Sequence, residues 1–283
     1  MTPEAPRSRP FHQVDVFSRE AYRGNPLAVV GDAEGLTREQ MQQFANWTNL
    51  SETTFLLPPT NPRADYRVRI FTGSEEFPFA GHPTLGSAHT WLECGGVPMS
   101  AGFVVQECGA GLVRVKRDDG RLAFAAPPLT RFGPVDGTIR RRIAAALGLA
   151  EAELIDTSWL VNGPEWIGVL LGSAEQVRAV KPDLAALGRL KVGIIGPEAG
   201  PAEVDFELRT FIPGDAMAED PVTGSFNAGA AQWLIGSGRA PDKYVAAQGT
   251  VLGRAGRVHI EAEDGDMWVG GHSATCIRGS VLL

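Results

Sequence analysis

Three titratable residues stand beside segments rich in small and helix-starting residues. They are Glu52 in Asn49-Leu50-Ser51-Glu52-Thr53-Thr54, His82 in Ala80-Gly81-His82-Pro83, and Asp220 just ahead of Pro221-Val222-Thr223-Gly224-Ser225. Carboxylates and imidazole exchange protons near neutral pH when their surroundings shift their proton affinity. Glu52 lies between the end of a helical pattern and a strand, not on an amphipathic face. Buried there, its pKa would rise and suit a proton shuttle; left in solvent, it is an ordinary loop acid. The two glycine-bearing segments read as helix starts. Unpaired N–H groups and the positive end of the helix dipole make such a start a seat for a carboxylate or phosphate. Glycine lets the ligand come close to the backbone. Read singly, each segment is equally an ordinary cap, and Asp220 an ordinary loop acid or dipole partner.

The elements that must hold these residues recur. Strand patterns at Phe11–Phe17 and Leu27–Val30 flank a Gly24-Asn25-Pro26 turn. A capping box at Thr37 to Gln40 opens a helix ending near Asn49, and strands follow at Thr53–Leu57 and Tyr66–Phe71. A broadly apolar helix runs from Pro83 to about Glu93, with Pro83 suited to a first helical position and Gly95-Gly96 as the stop. Strands at 102–107, 111–116 and 121–125 lead to Pro127-Pro128, which reads as a domain boundary. The second half predicts a helix over 138–147, strands at 159–161, 166–171, 192–196 and 205–211, a helix after Gly224, and strands around Val251 and at 257–263, 267–270 and 280–283. Ala88-His89-Thr90-Trp91-Leu92 is echoed by Ala230-Ala231-Gln232-Trp233-Leu234 about half a chain later. Two copies do not make a solenoid. The echo predicts two similar domains, residues 1–126 and 127–283, each a curved sheet around one buried helix, with the last strand free to return to the first domain.

Composition narrows the function classes. The chain is 43% hydrophobic and 21% charged with a net charge of −7, and carries no basic stripe for nucleic acid. Arg140-Arg141-Arg142 reads as a solvated helix face. No apolar run reaches the roughly 20 residues that span a bilayer, and Met1–Pro10 reads as a disordered leader without a signal core. Three widely spaced cysteines without a CxxC pair argue against a disulfide framework or zinc site and fit a reducing cytoplasm. Gly109-Ala110-Gly111 lacks a third dinucleotide-binding glycine, no Gly-x4-Gly-Lys loop exists, and the five histidines show no ligand spacing. No metal, cofactor, nucleic-acid or membrane partner is expected.

Several blocks in order carry a family likeness: Val14-Asp15-Val16-Phe17, Gly24 to Val30, Leu50-Ser51-Glu52-Thr53, Glu76-Phe77-Pro78-Phe79-Ala80-Gly81-His82-Pro83 and Glu219-Asp220-Pro221-Val222-Thr223-Gly224-Ser225. Together they resemble the phenazine-biosynthesis PhzF family over nearly the whole chain, with Gln248-Gly249 and Val269-Gly270-Gly271 similar to its late strands and turns. The resemblance implies an α+β fold of two pseudo-symmetric diaminopimelate-epimerase-like domains, each a barrel-like mixed sheet around a central helix, with the active site in the cleft between them. It implies a homodimer, no cofactor or metal, and isomerisation of a small cyclic carboxylate such as dihydro-3-hydroxyanthranilate. Glu52 stands where the family's general acid/base stands, and His82 and Asp220 match its supporting residues. Gly81, Gly224 and Ser225 match the groups holding the substrate carboxylate, and Asn25 and Ser51 line the same region. Gly73-Ser74-Glu75 departs from a stretch that often contains Thr-Pro, which alters one rim of the expected pocket.

True diaminopimelate epimerases place a cysteine at each helix start as a two-base pair. Here Cys94 falls at a helix end and Cys108 and Cys276 in strands, so thiol epimerisation is disfavoured. Two alternatives stay open: a two-base racemase or epimerase using Glu52 with Asp220 or His82, and a non-catalytic interaction protein on the same fold.

Overall fold

The computed structural model describes residues 6–200, 203–214 and 217–283. Two compact units divide the chain: Met1–Phe124 with Gly271–Leu283, and Ala125–Gly270. The change of unit falls just before the expected boundary at Pro127-Pro128.

In the first unit, β1 (Ser8–Val16), β2 (Asn25–Val30) and α1 (Arg38–Thr48) precede β3 (Thr53–Leu57), β4 (Tyr66–Phe71) and β5 (Glu76–Phe77). Helix α2 (Gly81–Glu93) leads to β6 (Phe103–Cys108), β7 (Gly111–Asp118) and β8 (Arg121–Ala125). Helix α1 starts on the capping box: the Gln40 N–H donates to Thr37 Oγ1 and the Thr37 N–H to Gln40 Oε1. It stops at Asn49 in the left-handed region, φ 55°. Its Met41, Phe44 and Ala45 pack with Val30, Phe55 and Phe71.

The second unit holds β9 (Arg131–Pro134), α3 (Gly137–Leu147), β10 (Asp156–Val161), β11 (Glu165–Leu170), α4 (Ala174–Ala179) and α5 (Leu184–Leu187). Then come β12 (Lys191–Pro197), β13 (Phe206–Phe211), β14 (Glu219–Asp220), α6 (Gly224–Gly236), β15 (Lys243–Gln248), β16 (Gly256–Glu263) and β17 (Asp266–Gly271). The last strand, β18 (Ser273–Leu282), lies in the first unit, antiparallel to β1.

The internal echo extends to strand pairing. In the first unit β1/β2 is antiparallel, β2/β3 parallel, β3/β4 and β4/β5 antiparallel, β4/β6 parallel, and β6/β7 and β7/β8 antiparallel. The series β10, β11, β12, β13, β14, β15, β16, β17 repeats those seven relationships in the same order. One strand flanks each series: β18 on β1 and β9 on β10. Each unit is thus a mixed sheet with one central helix. Helix α2 touches β1, β2, β3, β4, β6, β7 and β18, and α6 touches β10, β11 and β16. A helix enclosed this way must be apolar around its circumference; in α6 the side chains of Phe226, Ala228, Ala230, Ala231, Trp233 and Leu234 are all buried.

Three expectations need correction. Ser8–Pro10 are not leader but strand, paired with Leu282, Val281 and Ser280; Met1–Ala5 lie outside the described residues. Val251 belongs to a single 3₁₀ turn, Thr250–Leu252, and the strand nearby is β15. Helix α2 begins at Gly81, ahead of Pro83. The arginine trio lies on α3 with Arg141 and Arg142 exposed, as a solvated face requires, while Arg140 donates to Leu154 O and Thr157 Oγ1 and Arg142 Nε to Ala186 O. These side chains tie α3 to its neighbours.

Candidate active site

Glu52 sits immediately before β3, and β3 is fixed on both sides. Thr53 pairs with Ala28 of β2 and Phe71 of β4, and the hydroxyls of Thr48 and Thr53 are 3.0 Å apart. Thr53 and Thr54 are fully buried, so the chain beside Glu52 has little freedom. The Glu52 side chain is 15% exposed, and Oε2 lies 3.5 Å from Nε2 of His82, which is 7% exposed. Ser51, adjacent to Glu52, is half-buried. Asn25 opens β2 opposite Val16 and is fully buried.

His82 is the second residue of α2, and burial pulls its pKa down to about 3. The imidazole is therefore neutral at pH 7, and its contact with Glu52 is not an ion pair. Helix α2 has no side-chain cap at Ala80, Pro83 has no N–H to offer, and the Thr84 N–H is already bonded to Ala80 O. The uncommitted donors of the first turn are the backbone N–H groups of Gly81 and His82, with the positive helix end behind them.

In the second unit, Asp220 lies in β14 opposite Thr210, and its Oδ2 accepts from Thr223 Oγ1 at 2.6 Å. Thr223 is the N-cap of α6 but makes no side-chain cap bond, and the Asn227 N–H bonds Thr223 O. Gly224 and Ser225 supply the first N–H groups of this helix. Ser225 is held from β11 and the turn before it: Trp166 Nε1 donates to Ser225 Oγ at 2.9 Å and Asn162 Nδ2 to Ser225 O at 2.8 Å. Because Oγ accepts from Trp166, the serine proton is left to donate to a ligand.

Matching forks brace both helix starts. Arg69 Nε and Nη2 donate to Glu76 Oε1 and Oε2 at 2.7 and 2.8 Å. Arg209 makes the same bidentate pair with Glu219 at 2.8 and 2.9 Å. Each guanidinium stands over a phenylalanine, Phe71 at 5.2 Å and Phe211 at 5.1 Å. The Arg69 guanidinium holds the Glu76 carboxyl below its ordinary range. Each glutamate precedes its helix start by one short strand and loop, so each fork fixes the chain feeding that start.

Sequence reading picked out Glu76 and Glu219 within their blocks but missed Arg69, Arg209, Asn162 and Trp166. Arg69 left a trace, since Tyr66–Phe71 alternates apolar and basic residues. Trp166 left one too, because a tryptophan in a buried strand needs an acceptor for its indole N–H.

The thiols stand elsewhere. Cys94 caps the far end of α2, Cys108 ends β6 and Cys276 lies in β18. Burial pushes all three thiols up, away from the thiolate form that a base requires. Among the described residues, no group of three or more His, Cys, Asp or Glu is placed to hold a metal ion, and no helix is long and apolar enough to cross a membrane.

A duplicated mixed sheet with one enclosed helix per unit defines a diaminopimelate-epimerase-like fold. Comparisons with known proteins are specific. The family model for phenazine biosynthesis-like proteins, PhzC-PhzF, matches residues 14–279. Antisense-enhancing sequence 1 of Schizosaccharomyces pombe is 36% identical, over 96% of this chain and 98% of its own. The trans-2,3-dihydro-3-hydroxyanthranilate isomerase of Pseudomonas aeruginosa is 32% identical, over 88% and 89%. The crystal structure of a PhzF-family protein from Enterococcus faecalis superposes with a TM-score of 0.81 at 26% identity, covering 98% of this chain and 100% of that one. The chain belongs to the PhzF family and is an isomerase.

Proposed function

We propose that this isomerase moves a proton between two carbons of a small, cyclic, carboxylate-bearing substrate, with Glu52 as the single acid/base. The observation that carries the reading is the buried Glu52 carboxyl 3.5 Å from His82 Nε2 at the uncapped start of α2. Glu52 takes a proton from an activated carbon, the electron pair shifts along the conjugated system, and the same carboxyl returns the proton to a second carbon. The proton count is unchanged. His82, neutral through burial, orients Glu52 and steadies the proton in transit without adding charge, and Asp220 assists proton movement. In the first unit the Gly81 N–H, and in the second the Gly224 and Ser225 N–H groups with the Ser225 hydroxyl, are each a seat for a substrate carboxylate, an anion suited to helix starts. Asn25 and Ser51 complete the lining.

The P. aeruginosa relative is named for its action on trans-2,3-dihydro-3-hydroxyanthranilate, and that compound is the first probe. In D₂O, wild-type protein is expected to convert it to a double-bond isomer, with the carbon that gains the proton carrying deuterium only to the extent that the Glu52 carboxyl exchanges with solvent before returning it. Glu52→Gln is expected to keep fold and binding and to lose about 10²–10⁴-fold in turnover. Full activity of Glu52→Gln, or labelling with inversion at the original carbon, overturns the single-base reading.

A further inference from the structure

We propose that Gln248 is a positioning residue that commits the Thr223 hydroxyl proton to Asp220 and thereby keeps the N-cap oxygen off the first N–H groups of α6. The proposal rests on the role given above to Asp220 and the start of α6. Gln248 closes β15 and is fully buried. Its Oε1 accepts from the Thr223 backbone N–H at 3.0 Å and from Asn227 Nδ2 at 2.9 Å. Two N–H donors on one oxygen fix the amide orientation, since a flipped amide would set N–H against N–H. Nε2 then faces three oxygens: Thr223 Oγ1 at 3.0 Å, Thr210 Oγ1 at 3.1 Å and Asp220 O at 3.1 Å.

Proton counting fixes the remaining directions. The Thr223 hydroxyl is 2.6 Å from Asp220 Oδ2 and 2.6 Å from Thr210 Oγ1. An ionised carboxylate only accepts, so the single Thr223 proton goes to Asp220. Thr210, whose other acceptor, Asp220 O, lies at the longer 3.5 Å, then donates across the 2.6 Å contact to Thr223, whose oxygen receives that proton and the Gln248 N–H. An N-cap threonine ordinarily turns its oxygen onto the N–H of the second or third helical residue. Here the oxygen already accepts twice, and no such cap forms. One glutamine thus orients the acid and leaves the Gly224 and Ser225 N–H groups without a side-chain cap.

The first unit has no glutamine at the matching register: β4/β6 pairs Tyr66 with Gln106 where β13/β15 pairs Phe206 with Ala246, so the place of Gln248 falls on Cys108, and the nearby Gln106 is wired differently. Gln106 Nε2 donates to Thr84 Oγ1 at 3.0 Å, and its Oε1 accepts from Tyr66 OH at 2.8 Å. It braces the body of α2 and no acid, so the proton chain to Asp220 is particular to the second unit.

Neutron diffraction on deuterium-exchanged wild-type crystals locates these protons directly. The expected map places the Thr223 deuteron on the line to Asp220 Oδ2 and the Thr210 deuteron on the line to Thr223. A Thr223 deuteron aimed at Thr210 overturns the proposal. Kinetics with trans-2,3-dihydro-3-hydroxyanthranilate supply the second arm. Gln248→Glu keeps an acceptor for Thr223 N–H and Asn227 but removes both donors, and Thr223→Val removes the hydroxyl. Each is expected to lower kcat about tenfold or more with KM within about threefold, while Thr223→Ser returns kcat to within about threefold of wild type. Wild-type kcat in Thr223→Val, or a loss confined to KM, overturns it. Failure of wild-type protein to turn over the probe would count against the proposed function alone, because the neutron map still decides the proton directions.

Discussion

Glu52 Oε2 lies 3.5 Å from His82 Nε2, yet the two do not form an ion pair at neutral pH, because burial holds the imidazole neutral down to about pH 3. Desolvation outweighs whatever attraction the carboxyl offers to an imidazolium. The pairing therefore supplies the carboxyl with a fixed neutral neighbour. A charged partner would instead lock the carboxylate in one state.

The same burial predicts a pH dependence of stability. His82 titrates at about 3 in the folded chain and from 6.5 in the unfolded one. Between those values the unfolded state binds the extra proton, so stability rises with pH. The contribution is fully present above about pH 6.5 and is lost as pH falls towards 3, by up to about 1.4 kcal/mol per pH unit. Urea unfolding of wild type and His82→Asn at pH 7.5, 6 and 5 checks this. The free-energy difference between them should shrink steadily on acidification, and a constant difference would contradict it. The control is needed because His12, His89 and His272, also lowered by burial, give a slope of the same sign in the same pH window.

If proton transfer runs through Glu52, the thiols are dispensable. A variant with Cys94, Cys108 and Cys276 all replaced by serine is expected to turn over the probe within about threefold of wild type. Loss of turnover with the fold intact, read by circular dichroism, would return thiol chemistry to consideration.

Local rules were legible from sequence; partner choice was not. The α1 capping box and the Asn49 stop follow from side chains within one turn of each other. The Glu52, His82 and Asp220 segments were visible as blocks. Ser8–Pro10 read as leader because its strand partner, β18, lies at the other end of the chain. β15, Lys-Tyr-Val-Ala-Ala-Gln, lacks the alternation of a half-buried strand, because its later residues are all buried. The arginine of each fork was hidden for a related reason, since only the β4/β5 and β13/β14 pairings bring it to its glutamate.

Those twin forks differ in burial, and the difference has a measurable outcome. Arg209 is 4% exposed and also donates to Val177 O and Val180 O, whereas Arg69 is 22% exposed. Removing one partner of a buried pair leaves an uncompensated charge and costs about 3–5 kcal/mol. Arg209→Met is therefore expected to destabilise by about that much, and Arg69→Met by only about 1–3 kcal/mol. Denaturant midpoints at constant m-value test the ordering, and equal losses would refute it.

The start of α6 is also held from behind by a missing side chain. Gly193 lies in β12 between Gly168 of β11 and Thr210 of β13, and a Cβ there would stand 2.2 Å from Phe226 Cε2 and Cζ. Phe226 is fully buried in the first turn of α6 and packs edge-on against Trp166 at 5.6 Å. A rigid ring so enclosed cannot swing aside as the tip of a leucine can, so Gly193→Ala must push the helix start. Overpacking of this kind costs about 1–3 kcal/mol. Since Phe226 follows Ser225 directly, the displacement should also weaken carboxylate binding and raise KM for the probe. Phe226→Leu in the same chain removes the colliding ring atoms, so the double variant should be more stable than the sum of the single losses predicts. Strict additivity of the two losses would show that the collision is not what Gly193→Ala introduces.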